Sequence, residues 1–129
     1  MQLSIVGIEG QVCSVCSEGE IRMGDTRTQV DPIDGLLGAY RKDRTILLDL
    51  SRTTYIDSSG VGWLVKHHKL ANDANGKLIL HSVPPQVQSI FKLLHLQSVF
   101  NMAQDEKAAK ALAHSYYQAP PAGAGEENR

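Results

Sequence analysis

No run in this chain approaches the roughly 18 to 20 consecutive apolar residues that a bilayer-spanning helix needs. The opening MQLSIVGIEG has neither a basic n-region nor a small-residue cleavage site. Both absences lead to the expectation of a cytoplasmic protein without a membrane span. Cysteine is scarce: Cys13 and Cys16 are too few for the disulfide framework of a small secreted domain, which fits a reducing compartment. An excess of one charge is missing as well. Thirteen Lys and Arg stand against 14 Asp and Glu, a formal net charge of −1, so no basic surplus points to nucleic acid or an anionic membrane surface. Phosphate-cradling loops are absent too. Gly60-Val61-Gly62 begins like a dinucleotide fingerprint, but Val65 stands where the third glycine is required, and there is no Walker motif.

What is present suits one globular domain, since 129 residues with 42% apolar composition can enclose one core. LSIVGI and QVCSVCS, separated by Glu9 and Gly10, predict an opening β-hairpin. The polar stretch EGEIRMGDTRTQV, residues 18 to 30, holds no period and predicts a long loop. Asp31-Pro32 supplies an N-cap and a first-turn proline for a short helix with Ile33, Leu36, Leu37 and Tyr40 at helical spacing. RTILLDL is a near-continuous apolar run, the mark of a strand buried on both faces. From Ser59 to about Asn72, Val61, Leu64, Val65, His68 and Ala71 form one helix face. Asn75-Gly76 marks a turn before the strand KLILHSV. Pro84-Pro85 opens a helix with Val87, Ile90, Phe91 and Leu94 inward, SVFNMA a last short strand, and DEKAAKALAHSYY a final helix. A disordered tail is expected over 117–129, leaving a domain over 1–116. This alternation implies a single α/β domain with a mixed, mostly parallel sheet and about four helices. Binding sites in such sheets lie beyond the carboxyl ends of the strands, which is where the tetrad Asp57-Ser58-Ser59-Gly60 falls.

That tetrad admits three chemistries: nucleophile, helix cap and phosphate acceptor. A hydrolase elbow needs G-x-S-x-G, yet Ile56 precedes Ser58 and Asp57 precedes Ser59 at the first glycine position. No spacing orients His67, His68 or His81 toward either serine, so a serine hydrolase ranks last. His67 and His68, adjacent on a helix, make a poor chelate and suit a solvated face. Cys13 and Cys16, three apart on a strand, point to opposite faces and cannot share a bridge or a zinc ion. Neither a metal nor a cofactor is expected. Asp57 or Ser58 can cap the first turn, and a serine at a helix start is also an accessible phosphate acceptor. Trp63 fits either a buried second helix face or an exposed interaction anchor.

The segment ILLDLSRTTYIDSSGVGWLV, continued by NGKLILHSVPPQVQSIFKLLHLQSVF and preceded by EGEI at Glu18 to Ile21, resembles a STAS domain of the anti-sigma factor antagonist family. The resemblance covers about residues 3–113. Three features depart from the family pattern: Arg22 stands where an acid is common, the first helix is shortened, and a glycine before the last strand is replaced around His95. The resemblance implies a non-enzymatic partner switch. Ser58 would be phosphorylated by an anti-sigma factor that is itself a serine kinase, binding would require the unphosphorylated form, and a metal-dependent serine phosphatase would restore it. The implied contact surface comprises Arg22, Asp25, Asp57, Ser58, Ser59, Gly60, Val61 and Trp63. The alternative is a stand-alone STAS subunit of a lipid-transport ATPase complex or a stress-signalling assembly, with Ser58 unmodified.

Overall fold

The computed structural model describes residues 1–23, 31–38 and 44–117. The chain opens with β1 (Gln2–Glu9) and β2 (Val12–Ile21), paired antiparallel as the expected hairpin, with Gly10 at φ 59° in the turn. β2 runs further than its side-chain pattern predicts, because Glu18 to Ile21 are strand and not the start of a loop. Their backbone pairs with the next strand, Glu18 with Arg52, Glu20 with Tyr55 and Ile21 with Ile56, while two register shifts absorb the irregular pattern. Ladder bonding and the full burial of Ile21 outweigh the polar neighbours.

α1 (Pro32–Leu37) starts where Asp31-Pro32 predicts. Asp31 accepts bonds from the amides of Ile33 at 2.9 Å and Asp34 at 3.4 Å. Tyr40, expected on its inner face, lies outside the described residues, as does the tail from residue 118. β3 (Thr45–Ile56) sends Ile46, Leu48 and Leu50 to one face and Leu47 to the other, all buried. It continues past Leu50, where the apolar run stops, because β2 pairs with it as far as Ile56. α2 (Ser58–Asp73), β4 (Lys77–His81), α3 (Pro85–Leu93), β5 (Asn101–Ala103) and α4 (Glu106–Tyr117) follow in the predicted order. Leu94, expected inward on α3, is exposed beyond its last turn.

The sheet order is β1-β2-β3-β4-β5, with β1 antiparallel and every later pair parallel. The crossovers α1, α2 and α3 all cover one face. Their Ile33, Leu37, Leu64, Val87 and Phe91 share a core with Cys13, Val15, Leu48 and Leu80 of the sheet. Burying each of these large side chains contributes about 1.5–3 kcal/mol. α4 covers the other face, with Ala109 and Ala113 on Leu47 and Ile79. The fold is therefore the expected single α/β domain with a mixed, mostly parallel sheet and four helices among the described residues. Parallel pairing of β2 and β3 brings Ile21 beside Ile56 at one end of the sheet. The tetrad 57–60 leaves from that end.

Glycine is required after α2 for space and not for backbone angle. Asn75 takes the left-handed conformation at φ 63°, while a Cβ on Gly76 would lie 1.9 Å from the Arg44 carbonyl oxygen. A Cβ on Gly62, which is exposed between the buried Val61 and Trp63, would meet nothing within 4 Å. Gly76→Ala should therefore cost at least about 2 kcal/mol in urea unfolding. Gly62→Ala should gain up to about 1 kcal/mol from helix propensity. An undiminished stability for Gly76→Ala would show that the close approach is not a constraint.

Candidate functional site

The site is a seam between two chain segments at the carboxyl end of the sheet. Asp57 leaves β3 extended (φ −102°, ψ −178°), and its Oδ1 accepts from the Gly60 amide at 2.9 Å and the Ser59 hydroxyl at 2.6 Å. The cap is thus Asp57 and not Ser58. Residues 21 to 23 run alongside. The Asp57 amide donates to the Ile21 carbonyl at 3.3 Å, and the Met23 amide donates to Ser59 Oγ at 2.9 Å. Gly60 is buried here for want of room: a Cβ would lie 2.5 Å from Ile21 O and 2.8 Å from Ile56 Cγ1.

The two serines are consequently unlike. Ser59 is half-buried and its hydroxyl both donates and accepts. Ser58 is exposed, and no hydrogen bond of its hydroxyl is formed among the described residues. The Ser59 hydroxyl and the Gly60 amide hold the Asp57 carboxyl below the usual carboxylate range, with Arg22 adding to the effect. Asp57 is therefore an anion beside the free hydroxyl at neutral pH.

Arg22 lies at the same rim, exposed, with Nε 3.0 Å from Glu20 Oε1 and its guanidinium carbon 4.6 Å from the Tyr55 ring centroid. Glu20 and Tyr55 were not foreseen, because only the β2–β3 pairing juxtaposes them. Asp25 lies outside the described residues. Val61 and Trp63 correct the expected surface: their exposures are 6% and 5%, so neither offers a side-chain face to a partner. The Trp63 indole donates from Nε1 to Asp31 Oδ2 at 3.0 Å and meets His67 edge-on at 5.3 Å.

His67 is a second correction, being 1% exposed and not solvated. Its Nε2 lies 2.9 Å from Asp31 Oδ1, and since a carboxylate only accepts, Nε2 carries the proton. Lys66 Nζ adds a contact to Asp31 Oδ2 at 3.1 Å. α2 has neighbours on two flanks, so a single apolar stripe understates how much of it is buried. Burial pushes the Asp31 carboxyl upward, but the bonds from His67 and Lys66 outweigh this and leave it below the ordinary value. Ligand atoms of Asp31, Asp34 and His67 fall within 4.8 Å of one another. Both Asp31 oxygens are already engaged by Trp63, Lys66, His67 and the Ile33 amide, so the cluster is a hydrogen-bonded hub. His68 is half-buried against Phe100, and burial lowers its basicity. Cys13 and Cys16 are both free, Cys13 in the crossover-side core and Cys16 part-exposed. Burial raises both thiols above their usual value.

The family model for the STAS domain matches residues 4–109. The chain is 26% identical over 113 residues to BtrV of Bordetella bronchiseptica, described as a candidate anti-sigma factor antagonist, covering 86% of this chain and 93% of that protein. Its fold is similar to that of a candidate anti-sigma factor antagonist from Thermotoga maritima, with a TM-score of 0.71, 20% identity, and 88% and 93% of the two chains covered. It is also similar to the Bacillus cell fate determinant SpoIIAA in its phosphorylated form, with a TM-score of 0.54, 19% identity, and 86% and 99% covered.

The Asp31 hub predicts a pH dependence of stability. A carboxyl whose folded pKa is depressed stabilises the fold above its unfolded pKa, about 3.9, and that contribution is lost as pH falls through the folded value. Asp31→Asn should be less stable than wild type by about 1–3 kcal/mol at neutral pH, with the exposed Lys66 contact supplying little of it. In urea unfolding the gap should narrow below about pH 4. A gap that widens on acidification would contradict the assignment.

Proposed function

The chain belongs to the STAS domain family, and on that premise we propose that it is an anti-sigma factor antagonist, a regulatory binding module switched at Ser58. In this reading the unmodified protein binds an anti-sigma factor serine kinase. The kinase transfers the γ-phosphoryl group of ATP to Ser58 Oγ, ADP leaves, and the hydroxyl proton passes to a base of the kinase. A metal-dependent serine phosphatase then hydrolyses the ester and returns the hydroxyl with release of inorganic phosphate.

The observation that carries this reading is the division of labour between the serines. Ser59 is committed to Asp57 and Met23, whereas Ser58 is exposed with its hydroxyl unengaged among the described residues. The capping geometry therefore persists whatever is attached to Ser58. A phosphoserine adds about −1.5 to −2 charges at one surface point, next to the Asp57 anion. A loss of only about 2.7 kcal/mol at an interface shaped for a neutral hydroxyl is a hundredfold in affinity. The partner surface in this reading is the exposed Arg22 and Ser58, the half-buried Asp57 and the start of α2 around Gly62. BtrV, with its described antagonist role, and SpoIIAA, with its phosphorylated form, agree with the reading. A hydrolytic role finds no support in the histidines, since His67, His68 and His81 contact Asp31, Asn72 and Ser82.

Incubation with the anti-sigma kinase of the same organism and ATP should label wild type but not Ser58→Ala, as read by peptide mapping. Ser58→Asp should bind that kinase at least about tenfold more weakly in calorimetry. Equal labelling of Ser58→Ala would remove the named acceptor, and unchanged affinity of Ser58→Asp would remove the charge mechanism.

A further inference from the structure

We propose that Arg22 is the internal counter-ion of a phosphate on Ser58, exchanging its contacts with Glu20 and Tyr55 for the phosphoryl oxygens when that residue is modified. The inference rests on the reading of Ser58 as the phosphate acceptor and extends it to how the modified surface is organised.

The seam supplies the geometry. Ile21 O is bonded to the Asp57 amide and the Met23 amide to Ser59 Oγ, so Arg22, between Ile21 and Met23, stands across the seam from Ser58, between Asp57 and Ser59. Side-chain alternation puts both at the solvent rim. Ile21 is buried and Met23 packs against the core, which turns Arg22 outward, with 57% of its side chain exposed. Ser58 is likewise exposed between the half-buried Asp57 and Ser59.

Arg22 is also held loosely enough to move. Its partner Glu20 has a side chain 55% exposed, and exposed ion pairs of this kind contribute little. The contact uses Nε, which leaves the two Nη groups for a paired approach to phosphate oxygens.

Charge supplies the reason for the exchange. The charged side chains of the two described segments that form the seam, residues 20–23 and 57–60, are Glu20, Arg22 and Asp57, which sum to −1 (−1 + 1 − 1), with Met1 further back beside Gly19. Phosphorylation brings that to about −3, with Arg22 the sole cation of the three. The next cation along α2, Lys66, lies eight residues on, about 12 Å along the helix axis, and is committed to Asp31. Movement of Arg22 onto the phosphate would free the Glu20 carboxylate and uncover the Tyr55 ring. The phosphorylated and unphosphorylated surfaces would then differ at three positions besides Ser58, namely Glu20, Arg22 and Tyr55, enough for a kinase and a phosphatase to distinguish them.

The test places phosphoserine at position 58 during translation, so that no kinase is needed, and follows its phosphorus resonance by NMR between about pH 4 and 9. Asp57 raises the second ionisation of the phosphate and Arg22 lowers it. The wild-type midpoint should therefore fall below that of Arg22→Gln by about half a unit, roughly threefold in proton affinity. Arg22→Lys should lie between the two. Circular dichroism verifies that these exposed-site variants stay folded. Coincident wild-type and Arg22→Gln curves would overturn the proposal. Because the phosphate is installed independently, failure of a kinase to label Ser58 would count against the switch alone, and coincident titrations against the counter-ion alone.

Discussion

The narrow approach of α2's first turn to the end of β2 governs this molecule. With only 2.5 Å between a would-be Cβ on Gly60 and the Ile21 carbonyl, the helix start lies directly on strand backbone. The amide of Asp57 and the hydroxyl of Ser59 can then bond across the seam. Three features follow from that contact. β2 extends to Ile21 despite its polar sequence, because its end is gripped from two sides. Ser59 turns inward because Met23 reaches it. Ser58 is left on the outside because its neighbours on both sides are held. The exposed hydroxyl is thus a consequence of backbone packing, and the bonds that hold the backbone around it do not involve that hydroxyl.

A rigid frame around a free hydroxyl suits a switch that works by charge and not by refolding. Asp57 is kept ionised by bonds internal to the cap, so the local field at Ser58 is negative before any modification. On the proposed reading, what a partner meets at this rim is decided by a few exposed charges and one aromatic ring, while the Asp31 hub anchors the helix from within. The same reading draws function and stability from different faces of α2. For that reason Trp63, the largest side chain of that helix, belongs to the scaffold and not to the contact surface.

Elements whose causes are local were legible in the sequence. Asp31-Pro32 starts a helix through its own cap, RTILLDL is buried on both faces because its apolar run is near-continuous, and Asn75-Gly76 ends α2 through a left-handed residue and a space requirement. Features caused by distant residues were not legible. Trp63 and His67 are buried because Asp31, 32 and 36 residues away, offers them an acceptor. Glu18 to Ile21 form strand because β3 pairs with them. At the site, the tetrad 57–60 and the special position of Ser58 could be read from composition and family resemblance. That Asp57 is the cap, that Gly60 answers to Ile21, and that Glu20 and Tyr55 flank Arg22 depend on a seam between segments some 36 residues apart.

The Asp31 carboxylate also binds two helices into one dynamic unit. α1 has six residues, far below the length at which a helix persists on its own, and its N-terminal amides bond to the same carboxylate that receives Trp63, Lys66 and His67. Detaching α1 would strand an indole and an imidazole proton donor in the interior. Amide protons of this short helix should therefore be protected by the stability of α2, the two opening to solvent as a single cooperative segment.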